Sequence, residues 1–185
     1  MLTFRKHHHQ FVISFLLLII GLSSCSTPKS QSKLAQYGSV FEKVMITDIG
    51  AFRGFSLGDR LDSVQAKETA KLIEADEGYL YYEAKIDDTT GSYNISYSFD
   101  EVGLNEIQSD IFINNTQDAE SAYTQFKNYF EKYYGSSESH MGFNVWTVMS
   151  EKYGKIRINL SNESADFTTD KAPGKISLWI YPDKE

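Results

Sequence analysis

The chain of 185 residues has a single cysteine, Cys25, so no disulfide can close within it. It also lacks an apolar run long enough to cross a bilayer. Phe11 to Leu22 is about a dozen residues, against the roughly 20 a spanning helix needs. Basic residues are in deficit, 18 Lys and Arg against 25 Asp and Glu, for a net charge of −7. That sign argues against nucleic acid as a partner and against electrostatic docking on anionic headgroups. Histidine is scarce, and only His140 lies beyond Cys25. It could pair with Ser136, Ser137 or Ser139 as base and nucleophile, but the loop that holds them reads as ordinary polar chain. One histidine without a thiolate is too small a set for zinc or copper, and Asp87-Asp88-Thr89 lacks the spacing of a calcium loop. Gly50 to Asp59 contains three glycines but neither GxGxxG nor GxxxxGK[ST], and Asp59 would repel a phosphate there. Glu83, Asp87, Asp88, Asp100 and Glu101 fall at strand ends and turns, where acids serve as solvated turn formers. No catalytic residue, no metal ligand and no cofactor is therefore expected, and the chain is read as no enzyme.

What is present begins with an address. Arg5 and Lys6 precede the short apolar run, which ends in Leu22-Ser23-Ser24-Cys25. Charged start, apolar middle and small-residue end are the three parts of an export signal, residues 1–24. The tetrapeptide resembles the lipobox of bacterial lipoproteins, in which the cysteine is lipidated and becomes the mature N-terminus. The resemblance implies a membrane link through acyl chains on Cys25, two or more of which anchor stably where one is marginal. Ser26 rather than Asp follows the cysteine, and the first acid after it is Glu42. Both point to attachment at the outer membrane, facing the periplasm. Loss of residues 1–24 removes Arg5 and Lys6 and no acid, leaving 16 basic against 25 acidic residues and a net charge of −9.

Residues 25–39 are polar, carry Pro28 and read as a flexible tether. Residues 40–185 are expected to form a single α+β domain. Its strongest element is a helix over Thr116–Tyr134. Ala119, Ala122, Tyr123, Phe126, Tyr129, Phe130, Tyr133 and Tyr134 make one apolar stripe, Asn115 or Thr116 is the N-cap, and Gly135 is the stop. A shorter helix capped by Asp59 or Asp62 is expected to face Leu61, Val64, Ala70 and Ile73 inward and to end near Thr69. Val40–Ile49 reads as an edge strand. Period-two alternation marks strands at Tyr79–Ile86, Ser92–Phe99 and Leu104–Ile113, then at Phe143–Met149, Lys155–Leu160 and Lys175–Tyr181. Helix plus three strands thus occurs twice. The two units are expected to form a mostly antiparallel sheet with both helices packed on one face.

Arg53-Gly54-Phe55-Ser56-Leu57-Gly58-Asp59, Tyr97-Ser98-Phe99-Asp100, Gly103-Leu104, Tyr134-Gly135 and Trp146 together resemble small bacterial envelope lipoproteins of uncharacterised function. More distantly they resemble the two-layer α/β fold of SmpA/OmlA-type assembly lipoproteins and of β-lactamase-inhibitor proteins. The resemblance implies a non-catalytic periplasmic binding or envelope-assembly module. The alternative is a periplasmic inhibitor or immunity-type protein, whose acidity would suit a basic enzyme or toxin. If the helices cover one sheet face, Tyr79, Tyr81, Trp179 and Tyr181 project from the other, among Ser92, Asn94, Ser96, Ser98, Lys155, Arg157 and Asn159. Tyrosine and tryptophan rimmed by polar groups are characteristic of protein-partner surfaces. The anchor is directly testable: cells fed a labelled fatty acid should label the wild type and leave Cys25→Ala unlabelled, and equal labelling would refute lipidation.

Overall fold

The computed structural model describes residues 32–88, 90–165 and 174–183. Cys25, the export signal and the first part of the expected tether, to residue 31, lie outside the described residues. The fold is mixed α+β and dominated by its sheet. Three helices, α1 (Ser39–Met45), α2 (Leu61–Lys67) and α3 (Thr116–Tyr134), accompany eight strands. In chain order these are β1 (Lys71–Asp76), β2 (Tyr79–Asp87), β3 (Gly91–Phe99), β4 (Leu104–Ile113), β5 (Glu138–His140), β6 (Phe143–Ser150), β7 (Gly154–Asn162) and β8 (Gly174–Pro182). They form one sheet in the order β1-β2-β3-β4-β8-β7-β6-β5, every neighbouring pair antiparallel. Two meanders therefore meet along β4 and β8, and β1 and β5 are the edges.

Alternation decides what each strand buries. Tyr93, Ile95 and Tyr97 of β3 are buried while Ser92, Asn94, Ser96 and Ser98 are not. Register carries the same side across the sheet through Tyr82–Ile95, Tyr97–Ile107, Ile111–Ile176, Ile158–Ile180 and Trp146–Ile158. Helix α3 has the expected bounds. The Asn115 side chain accepts a hydrogen bond from the Asp118 N–H at 2.7 Å, satisfying one orphan donor of the first turn. Its Phe126, Tyr129 and Phe130 are buried, and Phe130 lies 5.3 Å from the Trp146 ring. Trp146 Nε1 in turn donates to the Gly135 carbonyl just past the helix end, at 2.9 Å. The stripe is narrower than expected, because Tyr133 is turned to solvent and 47% exposed.

Five other expectations are corrected. Val40–Ile49 is no edge strand: Val40, Phe41, Val44 and Met45 bury one side of α1, with Phe41 4.8 Å from both Phe126 and Tyr129. Four apolar residues at i, i+1, i+4 and i+5 fit a helix, and α3 supplies the surface they need. The packed chain also starts earlier than residue 40, since Leu34 is buried and Tyr37 packs on Phe41 and Tyr129. Helix α2 ends at Lys67, so Ala70 and Ile73 are not on it; Ile73 sits on β1, exposed. No side chain caps α2, and the Asp59 carboxylate instead accepts from the Ser56 N–H. The sheet has eight strands rather than six, because β1 and β5 lie where helix extension and loop were expected.

The loop before α2 turns on Phe52-Arg53-Gly54-Phe55. Arg53 (φ 54°) and Gly54 (φ 88°) are both left-handed, and Phe52 and Phe55 exchange backbone hydrogen bonds, which makes a type I′ turn. The turn drives the Arg53 side chain inward to 1% exposure. Its Nε and Nη2 donate to the two Glu68 oxygens at 2.9 and 2.6 Å, and Nη1 donates to the Val44 carbonyl of α1 and to the Tyr93 hydroxyl. Glu68 also accepts from the Tyr97 hydroxyl at 2.7 Å and from the Thr69 and Ala70 N–H groups. Burial pushes the Glu68 carboxyl up, but the hydrogen bonds and charge of Arg53 outweigh it and hold it below its ordinary 4.5. Burial pushes the Tyr97 phenol well above its ordinary value, so it stays a donor.

Two predictions follow from the core. Phe126→Ala and Phe130→Ala should each cost about 3–5 kcal/mol in urea unfolding. Glu68→Gln should cost about 3–5 kcal/mol, because it strands the buried guanidinium. Since the folded Glu68 pKa is depressed, its contribution is complete above pH 4.5 and disappears as pH falls through the folded value. The Glu68→Gln variant should therefore lose stability less steeply below pH 4.5 than the wild type, which a pH series of melting curves would measure.

Candidate sheet-face binding surface

Side chains that alternate with the buried ones along the strands make a second face of the sheet. Pairing sets it out in rows across the strands. One row runs Glu74, Tyr81, Ser96, Gln108, Trp179, Asn159, Val145. Beside it, Asp76 pairs with Tyr79, Tyr79 with Ser98 and Ser98 with Glu106, and on the other meander Tyr181 pairs with Arg157 and Arg157 with Thr147. The expected aromatics therefore project from one face, and Tyr81 and Trp179 stand in a single row. They do not form one cluster. Three strand spacings, roughly 14 Å at about 4.8 Å each, separate Tyr81 from Trp179.

The two halves differ chemically. On β8, the Trp179 and Tyr181 rings are in contact with centroids 4.5 Å apart, and Trp179 remains 38% exposed. Asn159 is buried against them and donates from Nδ2 to the Tyr181 hydroxyl at 3.0 Å. A cleft of about 460 Å³ runs beside this pair, between Phe143, Val145, Thr147, Arg157 and Tyr181. Arg157 is held by Asp183 at 2.9 Å, and Lys175 by both Asp110 and Glu163. On β2, the Tyr81 hydroxyl donates to Glu83 at 3.3 Å. Burial first, and the Glu83 charge second, raise the Tyr81 phenol above its ordinary value. A second cleft, of about 470 Å³, lies between Lys71, Glu83, Lys85, Ser92, Asn94 and Phe112.

The sequence reasoning missed Glu106, Gln108 and Phe112, though the inward alternation of Ile107, Ile111 and Ile113 carried that signal. It also missed Glu74 and Asp76, which become part of the face only because β1 is a strand. His140 lies on the edge strand β5 opposite Phe143, while the Ser137 hydroxyl donates to Asn144. Among the described residues no serine hydroxyl bonds to His140, and no three His, Cys, Asp or Glu side chains gather as a metal site. No described helix is long and apolar enough to cross a membrane. Compared with protein-family models, curated proteins and solved structures, the chain matches none of them.

Because Trp179 and Tyr81 pack only on their own face, removing them should leave the core intact. The double variant Tyr81→Ala/Trp179→Ala should unfold within about 1 kcal/mol of the wild type, measured in urea.

Proposed function

We propose that this is a non-catalytic binding module that presents its open sheet face to a protein partner. One observation carries the reading: register aligns Tyr81, Ser96, Gln108, Trp179 and Asn159 in one row on the face opposite the buried side chains. A flat row of aromatic and short polar side chains matches the composition of interface centres, which favour Tyr and Trp and hold few charges.

The lipobox resemblance completes the proposal. A lipidated Cys25 holds the domain to the outer membrane on its periplasmic side, where it serves in binding or envelope assembly. We read the domain itself as two units, α2 with β1–β4 and α3 with β5–β8, joined at β4 and β8, with both helices on the same face. Val64 of α2 and Phe126 of α3 belonging to one core supports that reading. The net charge of −9 beyond residue 24 favours a second reading, an inhibitor or immunity-type protein for a basic enzyme or toxin.

Capture from solubilised envelopes, with wild type and Tyr81→Ala/Trp179→Ala side by side, tests the surface. The expected result is a protein retained by the wild type and weakened about tenfold or more in the variant. A resident envelope protein supports the module, and a foreign or secreted enzyme supports the inhibitor. Equal retention by the folded variant would move the site off this face.

A further inference from the structure

The open face is unequally charged, and the inequality points to the kind of partner. On it, Lys85 is paired with Asp88, Arg157 with Asp183, and Lys175 with Asp110 and Glu163. Lys71 stands opposite Glu83, whereas Glu74, Asp76 and Glu106 face no basic residue in register and make no ion pair among the described residues. These three carboxylates lie around Tyr79 and Tyr81: Asp76 is opposite Tyr79, Glu74 is opposite Tyr81, and Glu106 lies one strand beyond Ser98, while Glu83 accepts from the Tyr81 hydroxyl. Carboxylates beside half-buried tyrosine rings suit a cation, which gains from both the charge and the ring face.

The same end of the sheet finishes in an edge. Among the described residues strand β1 pairs only with β2, and all six of its residues are exposed, including Leu72 at 39% and Ile73 at 46%. Its sides are distinct. Glu74 and Asp76 point to the open face, whereas Leu72 and Ala75 stand opposite Tyr82 and Leu80, which are buried on the other side. An added strand would therefore meet carboxylates with one set of alternate side chains and apolar groups with the other.

Resting on the proposed partner-binding role of this face, we propose that β1 accepts an extended segment of a partner protein, alternating basic with apolar residues, as a ninth strand. Backbone hydrogen bonds to the β1 edge supply affinity, and lysines or arginines over Glu74, Asp76 and Tyr81 supply selectivity. The irregularity between Leu72 and Glu74 divides β1 into two paired stretches, and the Glu74–Asp76 stretch is the one next to the tyrosines.

The probe is a short capped peptide alternating lysine with valine, compared with its glutamate–valine counterpart by fluorescence anisotropy. Expected is binding of the lysine peptide, weakened about tenfold in Glu74→Gln/Asp76→Asn and unchanged in the charge-matched Glu101→Gln/Glu151→Gln. Outward-facing β1 amides should also exchange at least tenfold more slowly with the peptide bound. Equal weakening in both charge variants would reduce the effect to bulk attraction and overturn the proposal, as would binding without β1 protection. A dimer in sedimentation that excludes the peptide would make a second copy the occupant and overturn it too. If the lysine peptide fails to bind while the Tyr81→Ala/Trp179→Ala variant still loses its envelope protein, this inference fails and the broader reading stands.

Discussion

The buried pair of Arg53 and Glu68 is the interaction on which the arrangement of the helices over the sheet depends. It joins four segments that are separate in sequence: the type I′ turn, the last turn of α1 through the Val44 carbonyl, the exit of α2 at Glu68, and β3 through Tyr93 and Tyr97. Every Glu68 oxygen has at least two donors, and the Arg53 guanidinium lies 5.3 Å from the Tyr93 ring centroid. Such a pair adds little net stability over an apolar substitute, because burial of both ions offsets their attraction. Its consequence is geometric, since a bidentate fork admits one orientation and so sets where the turn, α1 and α2 stand relative to β3.

The second constraint is the seam between β4 and β8. With both strands central, their inward residues Ile107, Ile111, Ile176, Leu178 and Ile180 have no exposure, and α3 packs over this region. The helix that connects the meanders thus also covers their junction. Gly103 reflects how tightly the loop side closes: at φ 138°, a Cβ there would lie 2.6 Å from the Gly58 carbonyl oxygen. Gly58 N–H and the Asp59 carbonyl bond to Leu104, tying the turn segment to the start of β4.

The outer face of the sheet carries its own alternate set of side chains. Serines, asparagines and glutamine dominate the middle of it, which keeps a two-sided sheet soluble without hiding the aromatic rings. Lys85, Arg157 and Lys175 at its margin are paired within the chain, whereas Glu74, Asp76 and Glu106 beside Tyr79 and Tyr81 make no ion pair among the described residues. A surface so divided favours orientation of a partner as well as attachment.

Local periodicity was enough to determine helix α3 to the residue, the alternation of β2, β3, β7 and β8, and hence the outward direction of Tyr79, Tyr81, Trp179 and Tyr181. Those properties belong to neighbours within a few positions of one another. Strand order and register depend on which distant segments pair, so only the tertiary structure brought Gln108 beside Trp179 and put Tyr81 in the same row. It also decided α1, whose four apolar residues take helical form because Phe126 and Tyr129 lie beneath them, and β1, whose Ile73 was expected to face inward from a helix but ends exposed on an edge strand. Arg53 was legible as part of a glycine-rich turn. Its inward direction was not, because that requires a left-handed backbone and a carboxylate fifteen residues away to receive it.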